Sequence, residues 1–139
     1  MPNQEIKNPW LIKKKVLPQH TDQAGVMWHG SYLNWLEESR IEALSQTGLS
    51  YSNISKMGIE MPVVDINIKY KKSIYHGEII VIKTWLEKRK GVRLYWKSLF
   101  IKKENIIASE ASIAIAIVQK DGSDFHLLRE YPASIKKSI

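Results

Sequence analysis

The side chains best suited to chemistry fall in one irregular stretch, His20-Thr21-Asp22-Gln23-Ala24-Gly25-Val26-Met27-Trp28-His29-Gly30. It sets a carboxylate, two histidines and two glycines directly ahead of a segment with helical spacing. A helix start exposes unpaired backbone N–H groups and a partial positive charge. A carbonyl oxygen aimed there is polarised, and a developing oxyanion is stabilised. Asp22 precedes that start within a loop, a place from which it can return as nucleophile or general base. Gly25 and Gly30 let backbone approach a ligand with no side chain in the way. The plainer reading of Asp-x-x-Gly is a turn whose aspartate bonds its own backbone, and on these residues alone both stand.

Other chemistries fit less well. The histidines are His20, His29, His76 and His126, and no pair has the spacing of a helical zinc motif. There is no cysteine, which excludes disulfides, thiolate zinc sites, iron–sulfur clusters and a cysteine nucleophile. No Gly-x-Ser-x-Gly elbow and no glycine-rich phosphate loop occurs. Basic residues come in small groups, and Lys88-Arg89-Lys90 with Arg93 is best placed to clamp phosphates, because a turn and the following strand can converge there. Trp28, Tyr32 and Trp35 surround the helix start. Aromatic residues so placed serve a core or an interface more often than base stacking.

These groups need elements to hold them. Trp10 to Leu17 reads as a strand. Ser31 to Thr47 reads as a helix, with Ser31 as cap, an apolar stripe of Tyr32, Leu33, Leu36, Ala43 and Leu44, and Gly48 as its left-handed terminator. Ser50 to Met57 suggests a short second helix. Strands then follow at Val64–Tyr70, Ile79–Glu87, Val92–Lys102 and Ile106–Val118, with Phe125 to Leu128 as a last short one. Their tight connections demand antiparallel pairing, and one long helix is available to cover a face. The expected fold is α+β, a curved antiparallel sheet wrapped around one helix, whose open face and edges invite a second copy.

The 139 residues suit one domain, 1–139. Hydrophobic residues at 44% and charged ones at 25% are ordinary for a globular protein. No apolar run spans a bilayer and MPNQEIKNPW has no secretory character, so a cytoplasmic location without membrane insertion is expected. A net charge of +7 favours anionic partners without choosing among nucleic acid, membrane surface and a phosphorylated small molecule.

Thr21 to Arg40, TDQAGVMWHGSYLNWLEESR, closely resembles the signature of hotdog-fold acyl-CoA thioesterases of the 4-hydroxybenzoyl-CoA thioesterase family. The nearest group is that encoded with the Tol–Pal system. Asp22, Gly25, Val26, His29, Tyr32, Leu33, Glu38 and Arg40 fall in register, and a weaker likeness runs through Tyr70 to Glu78. The resemblance implies a five-stranded sheet around a central helix, and homodimers or tetramers of dimers with sites between subunits. It implies Asp22 as the catalytic carboxylate and His29 as the residue whose N–H meets the thioester carbonyl, its ring a second contributor. Gly25, Val26, Trp28, Gly30 and Tyr32 would line the substrate, and Lys88, Arg89, Lys90 and Arg93 would meet the CoA phosphates. No cofactor is expected, coenzyme A being part of the substrate. Departures are His20 before Thr-Asp, the bulky Met27-Trp28, and Ser73 where proline is common, which leaves that turn less rigid. Two rivals follow: a 1,4-dihydroxy-2-naphthoyl-CoA hydrolase, and a non-catalytic module binding acyl carrier protein or nucleic acid; with acyl-CoA as the substrate, no nucleic acid is expected as a partner.

Overall fold

The computed structural model describes residues 9–48, 50–87, 89 and 91–129. In chain order they form β1 (Trp10–Lys15), α1 (His29–Gln46), α2 (Tyr51–Lys56), β2 (Ile59–Glu60), β3 (Val63–Tyr70), β4 (Ile79–Glu87), β5 (Leu94–Ile101), β6 (Ile107–Ile115), β7 (Val118–Asp121) and β8 (Asp124–Leu127). Single turns of 3-10 helix stand at Pro18–His20 and Lys103–Asn105. Five strands make an antiparallel sheet in the order β1-β4-β5-β6-β3.

The period of two sends Ile80, Ile82 and Thr84 of β4, and Leu94, Trp96, Ser98 and Phe100 of β5, into the core. The Thr84 and Ser98 hydroxyls lie opposite one another and share a hydrogen bond of 2.9 Å, which satisfies both buried groups. Helix α1 covers this face with Tyr32, Trp35, Leu36, Ser39, Ala43 and Leu44, at steps of three and four. Leu33, expected in that stripe, is instead exposed, since it stands about 100° round the helix from Tyr32. Trp35 takes the inward place. Gly48 closes the helix region at φ +86, a backbone angle that a Cβ disfavours.

The expected strand Ile106–Val118 is two strands. Its ladder with β3 ends at Val63↔Ile115, because Pro62 offers no N–H to continue it. The Ala116 N–H still bonds the Pro62 carbonyl at 3.0 Å, and the chain then turns into a separate three-stranded sheet, β2-β7-β8. Edge strand β3 carries exposed apolar residues, Val63, Val64 and Ile66. No described helix is long and apolar enough to cross a membrane.

Candidate active site

The loop before α1 is a short hairpin. Thr21 pairs antiparallel with Met27, the Asp22 N–H bonds the Val26 carbonyl at 2.9 Å, and the Trp28 N–H bonds the His20 carbonyl at 3.2 Å. Gly25 turns the chain at φ +78. Alternation along the two legs buries Met27 and turns Asp22 and Trp28 outward. A second segment braces the hairpin from outside. The Met27 N–H bonds the Ile74 carbonyl at 2.7 Å, and the His76 N–H bonds the Gly25 carbonyl at 3.0 Å.

The turn reading of Asp22 is realised in its side chain, which bonds its own loop backbone. Its Oδ1 accepts from the Ala24 N–H at 2.9 Å and the Val26 N–H at 3.1 Å. Its other oxygen has no hydrogen-bond partner among the described residues. One oxygen therefore fixes the carboxylate, and the second is left without a partner among the described residues on an exposed side chain. Asp22 lies two residues beyond His20, which ends the 3-10 turn and whose carbonyl receives the Trp28 N–H at the helix entrance.

Trp28, not Ser31, is the N-cap residue of α1. The Ser31 hydroxyl donates instead to the His20 carbonyl at 3.0 Å, tying the first turn of the helix to the hairpin. The His29 and Gly30 amides open the helix and have no acceptor among the described residues, leaving two donors at its positive end. The His29 ring is exposed and meets the Trp28 indole edge-on at 5.1 Å. A Cβ on Gly30 would collide with the Trp28 indole, so the missing side chain is what allows the ring to lie over the helix start. Val26 lies half-buried beside Tyr75. Tyr32 is enclosed: its ring packs on Phe100 and Tyr70, and its oxygen accepts from the Ser109 hydroxyl at 3.3 Å. Burial raises its phenol pKa above the ordinary value. Among the site residues read from the sequence, Tyr32 is thus a core support for the helix start. The acid and base of the helix signature are ties as well, Glu38 to Lys14 at 3.0 Å and Arg40 to Glu37 at 3.9 Å.

Of the basic group, Arg89 and Arg93 are among the described residues, and they face different surroundings. Lys88 and Lys90 lie outside the described residues. Arg89 is engaged by Glu87 at 3.2 Å, and its guanidinium stacks on Tyr95 at 4.2 Å. That hydrogen bond from Arg89 is the main reason the Glu87 carboxyl sits below its usual pKa. Arg93 lines a groove of about 620 Å³ together with Gly91, His126 and Arg129. His126 and Arg129 carry no local signal for this groove, because they are distant from Arg93 in the chain and meet it only in the fold. Among the described residues, no group of three His, Cys, Asp or Glu side chains is placed to hold a metal ion.

A five-stranded antiparallel sheet wrapped on one long helix defines the hotdog fold. The chain belongs to the thioesterase-like superfamily, whose model matches residues 16–134, and it is a thioester hydrolase. It is 31% identical over 137 residues to the protein sll0410 of Synechocystis, covering 96% of this chain and 81% of that one. It is 23% identical to the acyl-CoA thioester hydrolase YbgC of Escherichia coli, covering 94% of this chain and 90% of the relative. Among solved structures, the DHNA-CoA thioesterase of Staphylococcus aureus superposes with a TM-score of 0.81 at 30% identity, over 93% of this chain and 87% of that one.

Proposed function

We propose that this chain hydrolyses an acyl-CoA thioester to a carboxylic acid and free CoA, with Asp22 as the reacting carboxylate. The observation that carries the reading is the division of labour within Asp22. Oδ1 is fixed by two backbone N–H groups, and the other oxygen is left without a partner among the described residues, on the hairpin that leads into a helix start with unpaired donors. The thioester carbonyl points at the His29 N–H, and Asp22 attacks the carbonyl carbon or takes a proton from the attacking water. CoA leaves as the thiol, and no cofactor enters the balance. Gly25, Val26, Trp28 and Gly30 shape the entrance, while the phosphates meet Arg93 and the neighbouring basic turn.

Asp22 is exposed in the single chain, so the site is proposed to be closed by a second copy. The edge of β3, with Val63, Val64 and Ile66 exposed, supports a homodimer built there. A cytoplasmic location fits a CoA substrate. The likeness to the DHNA-CoA thioesterase favours a second reading in which the acyl group is a bicyclic aromatic one. A panel of short aliphatic, benzoyl and naphthoyl-type CoA thioesters, with detection of the released thiol, tests both. Turnover of at least one class supports thioester hydrolysis and the preferred class decides between them; no thiol release from any member contradicts the proposal.

A further inference from the structure

We propose that the Lys102–Glu78 ion pair is a positioning device for the reaction: it fixes the turn 73–78, and through that turn it holds the Asp22 hairpin against the start of α1. The proposal rests on the reading of Asp22 as the reacting group.

The turn 73–78 has little of its own to hold it. Ile74 is its only buried side chain, and Gly77 bends it at φ +88. Yet it delivers two of the bonds that brace the hairpin, the Ile74 carbonyl to Met27 and the His76 N–H to Gly25. At its far end, the Gly77 N–H bonds the Val16 carbonyl at 2.8 Å and the Val16 N–H bonds the Glu78 carbonyl at 2.9 Å. Between these anchors one backbone bond closes the turn, from the Glu78 N–H to the Tyr75 carbonyl at 3.2 Å, and side chains supply the other ties.

Lys102, just beyond β5, reaches across to the turn. Its ammonium donates to the Ser73 carbonyl at 2.8 Å, stands 3.1 Å from Glu78 Oε1 and lies 5.5 Å from the centre of the Tyr75 ring. The same Glu78 oxygen accepts the Tyr75 N–H at 2.8 Å. One cation thus ties the first residue of the turn to the last, and the carboxylate ties the middle. The side chains are only 17% and 26% exposed, so solvent screens this pair less than the open pair Lys71–Glu110, where the values are 46% and 40%. Ser73 carries no ring to stiffen the turn, and the Lys102 bond to its carbonyl supplies the restraint. A small shift at a reacting group lowers the rate steeply while binding contacts elsewhere persist.

The test compares Lys102→Met, Lys102→Arg, Glu78→Gln and Glu78→Ala by kcat and KM for thiol release, and by hydrogen exchange at the Met27 and His76 amides. Lys102→Met is expected to lower kcat about ten- to a hundredfold with KM within about twofold. Exchange at Met27 and His76 should speed up while β4 and β5 amides stay as in the wild type. Lys102→Arg should recover most of both readouts. Glu78→Gln, which keeps an acceptor for the Tyr75 N–H, should fall between wild type and Glu78→Ala. Unchanged exchange at Met27 and His76 in Lys102→Met overturns the brace, whatever the activity. Faster exchange with wild-type kcat overturns its role in the reaction. If the wild type releases no thiol from any acyl-CoA, the reading of Asp22 fails, and the exchange data alone still decide whether the pair holds the hairpin.

Discussion

The Asp22 hairpin and the basic turn after β4 both present charge beside a tight bend, and the fold treats them in opposite ways. Asp22 is held by neutral backbone N–H groups that fix one oxygen and leave its charge uncompensated. Arg89 is held by a carboxylate two residues away and capped by the Tyr95 ring, so its charge is answered on the spot. Glu87 also faces Lys97 at 3.5 Å. A charge that is fixed without being neutralised is available to a substrate. A charge paired with its neighbour mostly holds its own turn.

Substitutions sharpen the contrast, beginning with the largest effect. Asp22→Ala removes both the second oxygen and the acceptor that organises the hairpin. It should lower kcat at least about a thousandfold and stability by about 1 kcal/mol, read by thiol release and thermal unfolding. Gly30→Ala adds a methyl where the Trp28 indole lies. The exposed ring can swing aside, so stability should change by less than about 1 kcal/mol, while KM rises about three- to tenfold by the same assay as the entrance is reshaped. Arg89→Ala should leave kcat within about twofold and shift KM about two- to threefold, since its charge is already paired. That variant also releases Glu87, whose carboxyl is lowered mainly by the Arg89 hydrogen bond. A lowered folded-state pKa stabilises above the unfolded value of 4.5, and that contribution is lost as pH falls through the folded value. Unfolding curves between about pH 3 and 6 should therefore show less acid sensitivity in Arg89→Ala than in the wild type.

Local pattern carried much of this structure. The alternation in β3, β4 and β5 and the stripe of α1 are one-dimensional signals, and the five-stranded sheet with its covering helix follows from them. The Asp22 loop was legible for the same reason, since its glycine, carboxylate and helix start are neighbours in the chain. Three features were not. Ser31 looks like a cap by type, but its hydroxyl is drawn to the His20 carbonyl because the hairpin folds back on the helix. The break between β6 and β7 depends on Pro62, a residue some fifty positions earlier that withholds an N–H from the facing ladder. The tie from Lys102 to Ser73 and Glu78 joins residues that only sheet pairing brings together. Turns depend on immediate neighbours, whereas braces depend on what the fold places opposite.

The most direct test of the central claim is Asp22→Asn, which keeps an oxygen to accept the Ala24 and Val26 N–H groups and removes only the charge. Affinity for a non-hydrolysable thioether analogue of the preferred acyl-CoA and kcat for the thioester itself are measured side by side. The account predicts analogue binding within about threefold of wild type and a kcat reduced about a thousandfold. Hydrolysis within about fivefold of wild type, with binding intact, would contradict it by showing that the carboxylate at position 22 does not carry the reaction.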